Sequence, residues 1–407
     1  LFNAYIGTFS GLSKEVWWLA LITLVNRAGA MVIPFLSLYL REDLGFSMGN
    51  VGWVMTCFGL GSFFGSWLGG KLTDIMGYYR VILYSLLASA VCFMLIQFVT
   101  SFVGICISFF VLITIMDASR PAFFVALSAY SKPENKTRSL TLIRLAINLG
   151  FTAGPALGGI IIASIGYFGL FWADAITCAA AGVLMIQVLN PKKVKETDKE
   201  VVPDNPVSPM TDKIFLVFLL SLVLFGVIFL QYISTIPLYY REVHLLNERQ
   251  IGLLLALNGF MIFIFEMPLI NFLEKKNISH VSHVMLGLSL VGASFLLYLV
   301  TPFAGVLALG MIIATLGEMI AFPFGNAFAL RRSKIGRQGA YMGLYSMSFS
   351  MAHIFGHNGG MQLIGAIGYE YTWLGMIALT LVAFLLLVYV KLRLKKEQKN
   401  QEIAIAA

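Results

Sequence analysis

The chain has 407 residues, 59% of them hydrophobic and only 12% charged, whereas water-soluble domains are about 45–50% apolar and about 25% charged. That balance excludes a soluble enzyme, a nucleic-acid-binding domain and a disordered chain. The net charge of +8 is explained by where the charges fall, and Cys57, Cys92, Cys106 and Cys178 all lie inside apolar runs without C-x-x-C spacing, so neither a disulfide framework nor a metal site is expected.

A helix needs roughly 20 apolar residues to cross the hydrocarbon core. Twelve such runs are present, near 16–40, 49–70, 80–99, 102–130, 140–165, 168–189, 213–240, 250–272, 281–300, 304–329, 338–366 and 370–391. Barrel strands alternate over only about ten residues, so these runs are helices. The expected fold is an all-α membrane protein with twelve transmembrane helices in two six-helix pseudo-symmetric halves. The sequence starts at Leu1 rather than Met, so a few residues are expected to precede it. No cleavable signal is visible, and the first run is expected to remain as a span. With the N-terminus inside, twenty-two of the 28 Lys and Arg fall in inner loops and ends. Only Arg41, Arg241 and Arg249 fall outside, and Arg27, Arg120 and Arg144 lie within spans. This asymmetry puts both termini in the cytoplasm. The bacterial inner membrane is the expected location, where the basic loops also attract anionic lipid.

Span 1 carries Asn26-Arg27 and then Pro34. Arg27 lies about eleven residues into the helix and is expected to face a central cavity; snorkelling to an interface is the alternative. Proton-coupled oligopeptide transporters have Glu-x-x-Glu-Arg here; this chain has Thr23-x-x-Asn26-Arg27, so only the Arg matches.

The loop between spans 2 and 3 reads Gly69-Gly70-Lys71-Leu72-Thr73-Asp74-Ile75-Met76-Gly77-Tyr78-Tyr79-Arg80. It resembles the signature loop of the major facilitator superfamily through Gly70, Asp74, Gly77 and Arg80. Ile75 replaces the usual Arg, and Tyr78-Tyr79 replaces the usual basic pair. The resemblance implies that the glycines bring helices 2 and 11 together. Asp74 would then sit at the positive N-terminus of span 11, near Gln338 and Gly339, and latch one conformational state.

Span 4 holds Asp117-Ala118-Ser119-Arg120-Pro121, with Asp117 and Arg120 three residues apart on one helix face. Charges at the bilayer centre cost roughly 2.5–3.5 kcal/mol on insertion scales, so the pair is either a functional device or a self-neutralising structural one. Arg120 resembles the span-4 Arg of drug/proton antiporters. In span 5, Gly150-Phe151-Thr152-Ala153-Gly154-Pro155-Ala156-Leu157-Gly158-Gly159 resembles the G-x-x-x-G-P-x-x-G-G motif of the same branch. Gly150 and Gly154 form a small-xxx-small face, and Pro155 permits a bend. Arg144, near the inner end of that span, is expected to snorkel. Asp174 in span 6 is expected to be interfacial.

Residues 191–212 form a polar, Pro-containing inner linker. It divides the chain into an N-terminal half (1–190) and a C-terminal half (213–391), with a cytoplasmic tail at 392–407. The halves match at an offset of 200. Leu38-Tyr39-x-Arg41-Glu42 recurs as Leu238-Tyr239-x-Arg241-Glu242, Gly52 and Gly59 as Gly252 and Gly259, Phe63 as Phe263, and Asp74 as Glu274. Six-span repeats holding substrate between them are the architecture of many secondary transporters.

In the second half, Asn258, Ile262 and Glu266 share a face of span 8. Glu266 is a candidate proton site, with a position near the inner headgroups as its alternative. Glu318, in Leu316-Gly317-Glu318-Met319 before Pro323, is the lone acid of span 10. Such an acid is a natural proton carrier: neutral when buried, ionised when it meets water or a cation. The Gly-Glu-x-x-x-x-Pro pattern is also similar to span 10 of the oligopeptide transporters. His353 and His357 sit at i,i+4 in span 11 without a third ligand, so proton handling, cavity lining and structural hydrogen bonding are all open. Tyr39, Gln231, Tyr232, Asn258, Asn326 and Tyr345 are further candidate pocket residues.

The resemblance covers the whole chain and implies a non-enzymatic transporter working by alternating access. The expected activity is export of a small amphipathic or drug-like molecule in exchange for protons. Glu318, Asp117 and Glu266 would couple protons; Arg27, Asn26 and Arg120 would contact substrate with the residues above. The expected partners are substrate, protons and lipid, with no nucleic acid, no cofactor beyond the proton and a monomeric chain. A proton-coupled importer of peptides or another nutrient, a uniporter, and a non-transporting receptor remain as alternatives.

Overall fold

A computed structural model describes residues 11–132, 136–191, 206–276, 278–300, 305–336 and 338–406. These residues are helical almost throughout, and the one strand-like pairing among them is a single bridge between Val207 and Gly336.

In chain order the helices are α1 (Lys14–Ala28), α2 (Val32–Leu38), α3 (Met48–Met76), α4 (Tyr78–Ile96), α5 (Phe102–Tyr130), α6 (Lys136–Ile165) and α7 (Phe168–Val188). They continue as α8 (Lys213–Phe229), α9 (Gln231–Glu242), α10 (Glu248–Glu274), α11 (His280–Val300), α12 (Gly305–Arg332) and α13 (Gln338–Ala406). Small polar residues start them where the sequence turns inward. Ser13, Ser47, Ser101 and Asp212 each accept a backbone N–H of the first turn, from Val16, Asn50, Gly104 and Phe215.

Eleven helical stretches among the described residues are long and apolar enough to cross a bilayer. The count differs from twelve because the last stretch, Ala340–Asn400, runs 61 residues. At 1.5 Å per residue that is about 90 Å, roughly three times the hydrocarbon core. It is interrupted at Gly368, whose φ of 80° and ψ of 177° leave the helical region. The expected loop between spans 11 and 12 is therefore a one-residue break.

The chain packs as two compact units, Leu1–Thr197 with Pro237–Phe263, and Asp198–Ile236 with Ile264–Ala407. In the first unit, α3 crosses α5 through a glycine stripe. A Cβ on Gly61, Gly65 or Gly69 would come within 2.6, 2.5 or 2.1 Å of the carbonyls of Phe110, Thr114 or Ala118. Gly69 of the signature loop thus packs on α5 in this unit, and Gly70 faces open space. Gly77, with φ of 83°, makes the turn from α3 into α4, and Arg80 is exposed. The side chains of Asp74, Gln338 and Gly339 lie outside the described residues, as do residues 192–205 of the linker.

The span-5 motif is a double packing surface. Gly150, Gly154 and Gly158 lie on α1 and its continuation, against Arg27, Ala28, Met31 and Phe35. Gly159 lies on the Glu248 carbonyl, and Gly252 on the Pro155 carbonyl. The α6 motif therefore grips both α1 and the first half of α10.

Two corners 200 residues apart in the sequence share local detail. Span 1 breaks between Ala28 and Val32, and span 7 breaks at Leu230. Beyond these breaks, Gly45 (φ 67°) and Leu245 (φ 55°) make matching left-handed turns. Arg41 Nη1 donates to the Phe46 carbonyl and Arg241 Nη1 to the Leu246 carbonyl, both at 3.1 Å. The two corners then exchange partners: Arg41 Nε lies 3.3 Å from Glu242 Oε1, and Arg241 Nε lies 2.5 Å from Glu42 Oε1.

In the second unit, Arg332 at the end of α12 holds two carboxylates. It donates to Asp212 at 2.6 and 3.0 Å and to Glu397 at 2.6 and 3.2 Å. The Tyr341 hydroxyl donates to Asp212 at 3.1 Å. This joins the α8 N-cap, the α12 end and the distal part of α13.

Candidate functional site

The site is built in the first unit from α1, α4 and α5. A small pocket of about 20 Å³, room for about one water, is lined by Asn26, Arg27, Ser85, Leu86, Ser89, Met116, Asp117 and Ser119. Ser85 and Ser89, at i,i+4, share one face of α4. Met116, Asp117 and Ser119 come from α5 beside the glycine stripe. Because Gly65 lets α3 approach α5 at the Asp117 turn, Ser62 of α3 can donate its hydroxyl to Asp117 Oδ2. Arg120 Nε reaches Asp117 Oδ1 at 2.8 Å. The carboxylate is thus held from both sides within the helical bundle. Its side chain is 10% exposed and that of Arg120 is 50% exposed, so the guanidinium leads outward from a buried acid.

Arg27 is half-buried. Gly150 packs on its Cβ, and the Phe151 ring centroid lies 5.9 Å from the guanidinium carbon. Its neighbour Asn26 donates to Cys178 Sγ at 3.4 Å. These contacts fix where α1 ends. Directly after it, Asp174 of α7 accepts the backbone N–H groups of Met31 and Val32. Asp174 is 1% exposed; the expected interfacial acid is instead the buried cap of a broken transmembrane helix. The reason is local: a break leaves unpaired N–H donors, and lipid cannot satisfy them.

The structure thus brings together Asn26, Arg27 and Asp117, with Arg120 bonded to the last. Other candidates lie elsewhere. Tyr39 is buried against Tyr167 and Phe171. Gln231 is fully buried and engaged: its Nε2 donates to the Val227 and Gly356 carbonyls at 2.8 Å, and its Oε1 accepts from Thr235. Tyr232 donates to Ser294 at 2.6 Å. These two side chains join α9 to neighbouring helices. Glu266 is buried, and Asn258 is half-buried on the same helix. Glu318 is half-buried on α12, Asn326 is exposed, and Tyr345 packs its ring on Phe349. His353 Nδ1 and His357 Nε2 are 3.1 Å apart. No group of three metal-ligating side chains occurs among the described residues. Arg144 is exposed on α6.

The sequence reading missed Ser62, Ser85 and Ser89. The i,i+4 serines of span 3 were the available signal. The partnership of Ser62 with Asp117 had none, because it depends on the angle at which α3 crosses α5.

Long apolar helices around a small polar, charged pocket describe a polytopic membrane protein. The Major Facilitator Superfamily profile matches residues 19–357 and 246–406, and the chain belongs to that superfamily. The MFS-type transporter YqjV of Bacillus subtilis is 24% identical over 95% of this chain and 96% of its own length. The multidrug resistance protein MdtH of Aeromonas hydrophila is 24% identical over 85% of this chain and 87% of its own. Among solved structures, a POT family transporter in complex with 5-aminolevulinic acid superposes with a TM-score of 0.78 at 17% identity, covering 94% of this chain and 96% of that one. The nucleoside transporter NupG superposes at 0.77 with 13% identity, covering 93% and 99%. These similarities establish the fold.

Proposed function

We propose that the protein is a proton-coupled exporter of small amphipathic molecules, working by alternating access between two six-helix halves of a twelve-helix bundle. The break at Gly368 supports the count of twelve, since it divides α13 into two membrane-length pieces. The similarity to a multidrug resistance protein supports the direction. A bacterial inner membrane, inner termini and a monomeric working unit belong to the same reading.

The observation that carries the proposal is Asp117, held between Arg120 and Ser62 at the wall of a polar cavity. Ionised, Asp117 is satisfied by both partners. Protonated, it releases Arg120 and changes the charge of the cavity by one. Substrate and proton then compete for one electrostatic environment, which is the requirement for exchange. Glu318 on α12 is the second proton carrier in this reading. One proton crossing 100 mV releases about 2.3 kcal/mol, equivalent to roughly a 50-fold gradient of a neutral substrate exchanged one for one.

The test uses purified protein in liposomes with an imposed pH gradient. Asp117→Asn is expected to abolish pH-driven flux while leaving substrate exchange at equal pH. Coupled flux at the wild-type rate in Asp117→Asn would remove Asp117 from the mechanism. The same result in Glu318→Gln would remove Glu318.

A further inference from the structure

We infer that Cys57 and Cys106 form a redox-active pair that closes into a disulfide and staples α3 to α5. Both thiols lie outside the proposed mechanism, so the pairing stands whether or not the chain moves protons.

The glycine stripe sets the register of the two helices. Gly61, Gly65 and Gly69 of α3 meet Phe110, Thr114 and Ala118 of α5, each pair 49 residues apart in the sequence. Cys57 and Cys106 are also 49 apart, one helical turn nearer the start of both helices. Side chains on this stripe of α5 turn toward α3. Thr114 Oγ1 donates to the Gly61 carbonyl at 3.3 Å, and the Phe110 ring centroid lies 5.8 Å from that of Phe64. Cys106, one turn before Phe110, shares the stripe. The two thiols meet there: the Cys106 side chain is hydrogen-bonded to that of Cys57.

A disulfide needs Cα atoms about 4.4–6.8 Å apart, with the Cβ atoms turned toward each other. The stripe supplies both. A Cβ would fall 2.1 Å from the facing carbonyl at Gly69, 2.5 Å at Gly65 and 2.6 Å at Gly61, so the backbones touch and part slowly toward Cys57. At that turn glycine gives way to two cysteines, whose thiols fill the widening gap. Both are half-buried, whereas Cys178 is buried beside Asn26. In the topology proposed above, α3 and α5 start on the outer side. Cys106 lies about 6 Å along α5 from Phe102, near the compartment where disulfides persist. Closing the Sγ–Sγ bond releases one proton and one electron from each thiol. Dioxygen, with a copper complex as catalyst, takes up both electrons and both protons and leaves as hydrogen peroxide. The staple joins two helices of one compact unit and fixes the crossing that brings Ser62 to Asp117.

The test counts thiols. The full chain in detergent is treated with copper–phenanthroline in air, quenched with a chelator, denatured and alkylated with N-ethylmaleimide before its intact mass is measured. The reduced chain should take up four labels, one per cysteine, and the oxidised chain two. A peptide map should find Cys57 joined to Cys106, and dithiothreitol should restore all four labels. Cys57→Ser and Cys106→Ser should each keep three labels after oxidation. The double variant Cys92→Ser, Cys178→Ser should fall from two labels to none. If one of these variants does not elute as a monodisperse species, the others and the wild-type peptide map decide. The closed form should melt at a higher temperature than the reduced form, because a bond spanning 49 residues restricts the unfolded chain. Four labels after oxidation, linkage through Cys92 or Cys178, sulfinic acid in place of a link, or a bond between two chains through Cys57 or Cys106 overturns the pairing. A closed form that melts no higher than the reduced one overturns the staple.

Discussion

Asp174 bridges the break in span 1: its Oδ1 accepts the Met31 N–H at 2.9 Å and its Oδ2 the Val32 N–H at 3.2 Å. The Met31 N–H is shared with the Gly29 carbonyl at 2.8 Å, and the carboxylate adds an acceptor for it and for the Val32 N–H at full burial. Asp174→Asn keeps the shape but turns one acceptor into a donor facing an N–H. A buried donor left unsatisfied costs about 1–3 kcal/mol. Thermal unfolding in detergent should show a loss of that size in Asp174→Asn. A melting temperature equal to wild type would mean that the break needs no acidic cap.

Much of the fold was legible because a bilayer imposes simple rules. The apolar runs are found by length alone, and the two matching corners by an offset of 200 in Leu38–Glu42 and Leu238–Glu242. The Asp117–Arg120 pair followed from helical spacing. What escaped depended on contacts between helices distant in sequence. Asp174 looked interfacial because its depth was judged from its own span, while its role is set by the break in α1. Gln231 and Tyr232 are candidate pocket residues because a polar group in lipid suggests function. In the structure their hydrogen bonds run to Gly356 and Ser294, partners that local spacing does not identify.

The two repeat corners exchange Arg and Glu partners, and Glu42 additionally accepts from the Tyr167 hydroxyl at 2.7 Å. Burial and this bond push the Tyr167 hydroxyl well above its ordinary value, so it remains a donor. The Arg–Glu pairs are about a third exposed, and such pairs contribute about 0.2–1 kcal/mol. Glu42→Arg should lower the melting temperature slightly, and adding Arg241→Glu should recover part of the loss. The difference should shrink in high salt. A double variant no better than the sum of its single variants would show that the pairing carries no coupling.

Leu245 occupies the left-handed turn that its repeat mate fills with Gly45. A non-glycine residue there carries about 1–2 kcal/mol of steric cost. Leu245 is also highly exposed, so its side chain contributes little packing. Leu245→Gly should stabilise the protein by about 1 kcal/mol in thermal unfolding, after the entropy of the glycine is deducted. Destabilisation would mean that the Leu245 side chain makes contacts worth more than the strain.

Gly252 lies where a Cβ would fall 2.4 Å from the Pro155 carbonyl and 3.2 Å from Gly159 Cα. Both neighbours are backbone and cannot rotate away. Gly252→Val should therefore separate α10 from α6 and destabilise this packed state by at least about 1–3 kcal/mol. Cysteines placed at exposed Leu253 and Leu157 should report it as faster labelling by a water-soluble maleimide. Unchanged labelling and unchanged unfolding would show that the helices slide without cost at this crossing.

Asp212 carries the clearest pH signature outside the spans. Burial alone would raise its carboxyl, but the hydrogen bonds from Arg332 and the Phe215 N–H, the Arg332 charge and the Tyr341 hydroxyl together hold it below its ordinary value of 3.8. A group depressed on folding contributes stability above its unfolded value, and that stability is lost as pH falls through the folded one. The melting temperature of wild type should therefore hold steady near neutrality and fall steeply below about pH 4. Asp212→Asn should melt lower at neutral pH, because Arg332 loses one of its two carboxylates, and should approach wild type as the medium is acidified. Parallel curves, with a constant gap down to about pH 3, would place the acid sensitivity elsewhere. Arg332→Ala tests the same hub from the other side. It leaves Asp212 buried with only Tyr341 and the Phe215 N–H as donors, and breaking a pair so enclosed costs about 3–5 kcal/mol. Glu397→Ala, which removes the more exposed partner, should cost less than either.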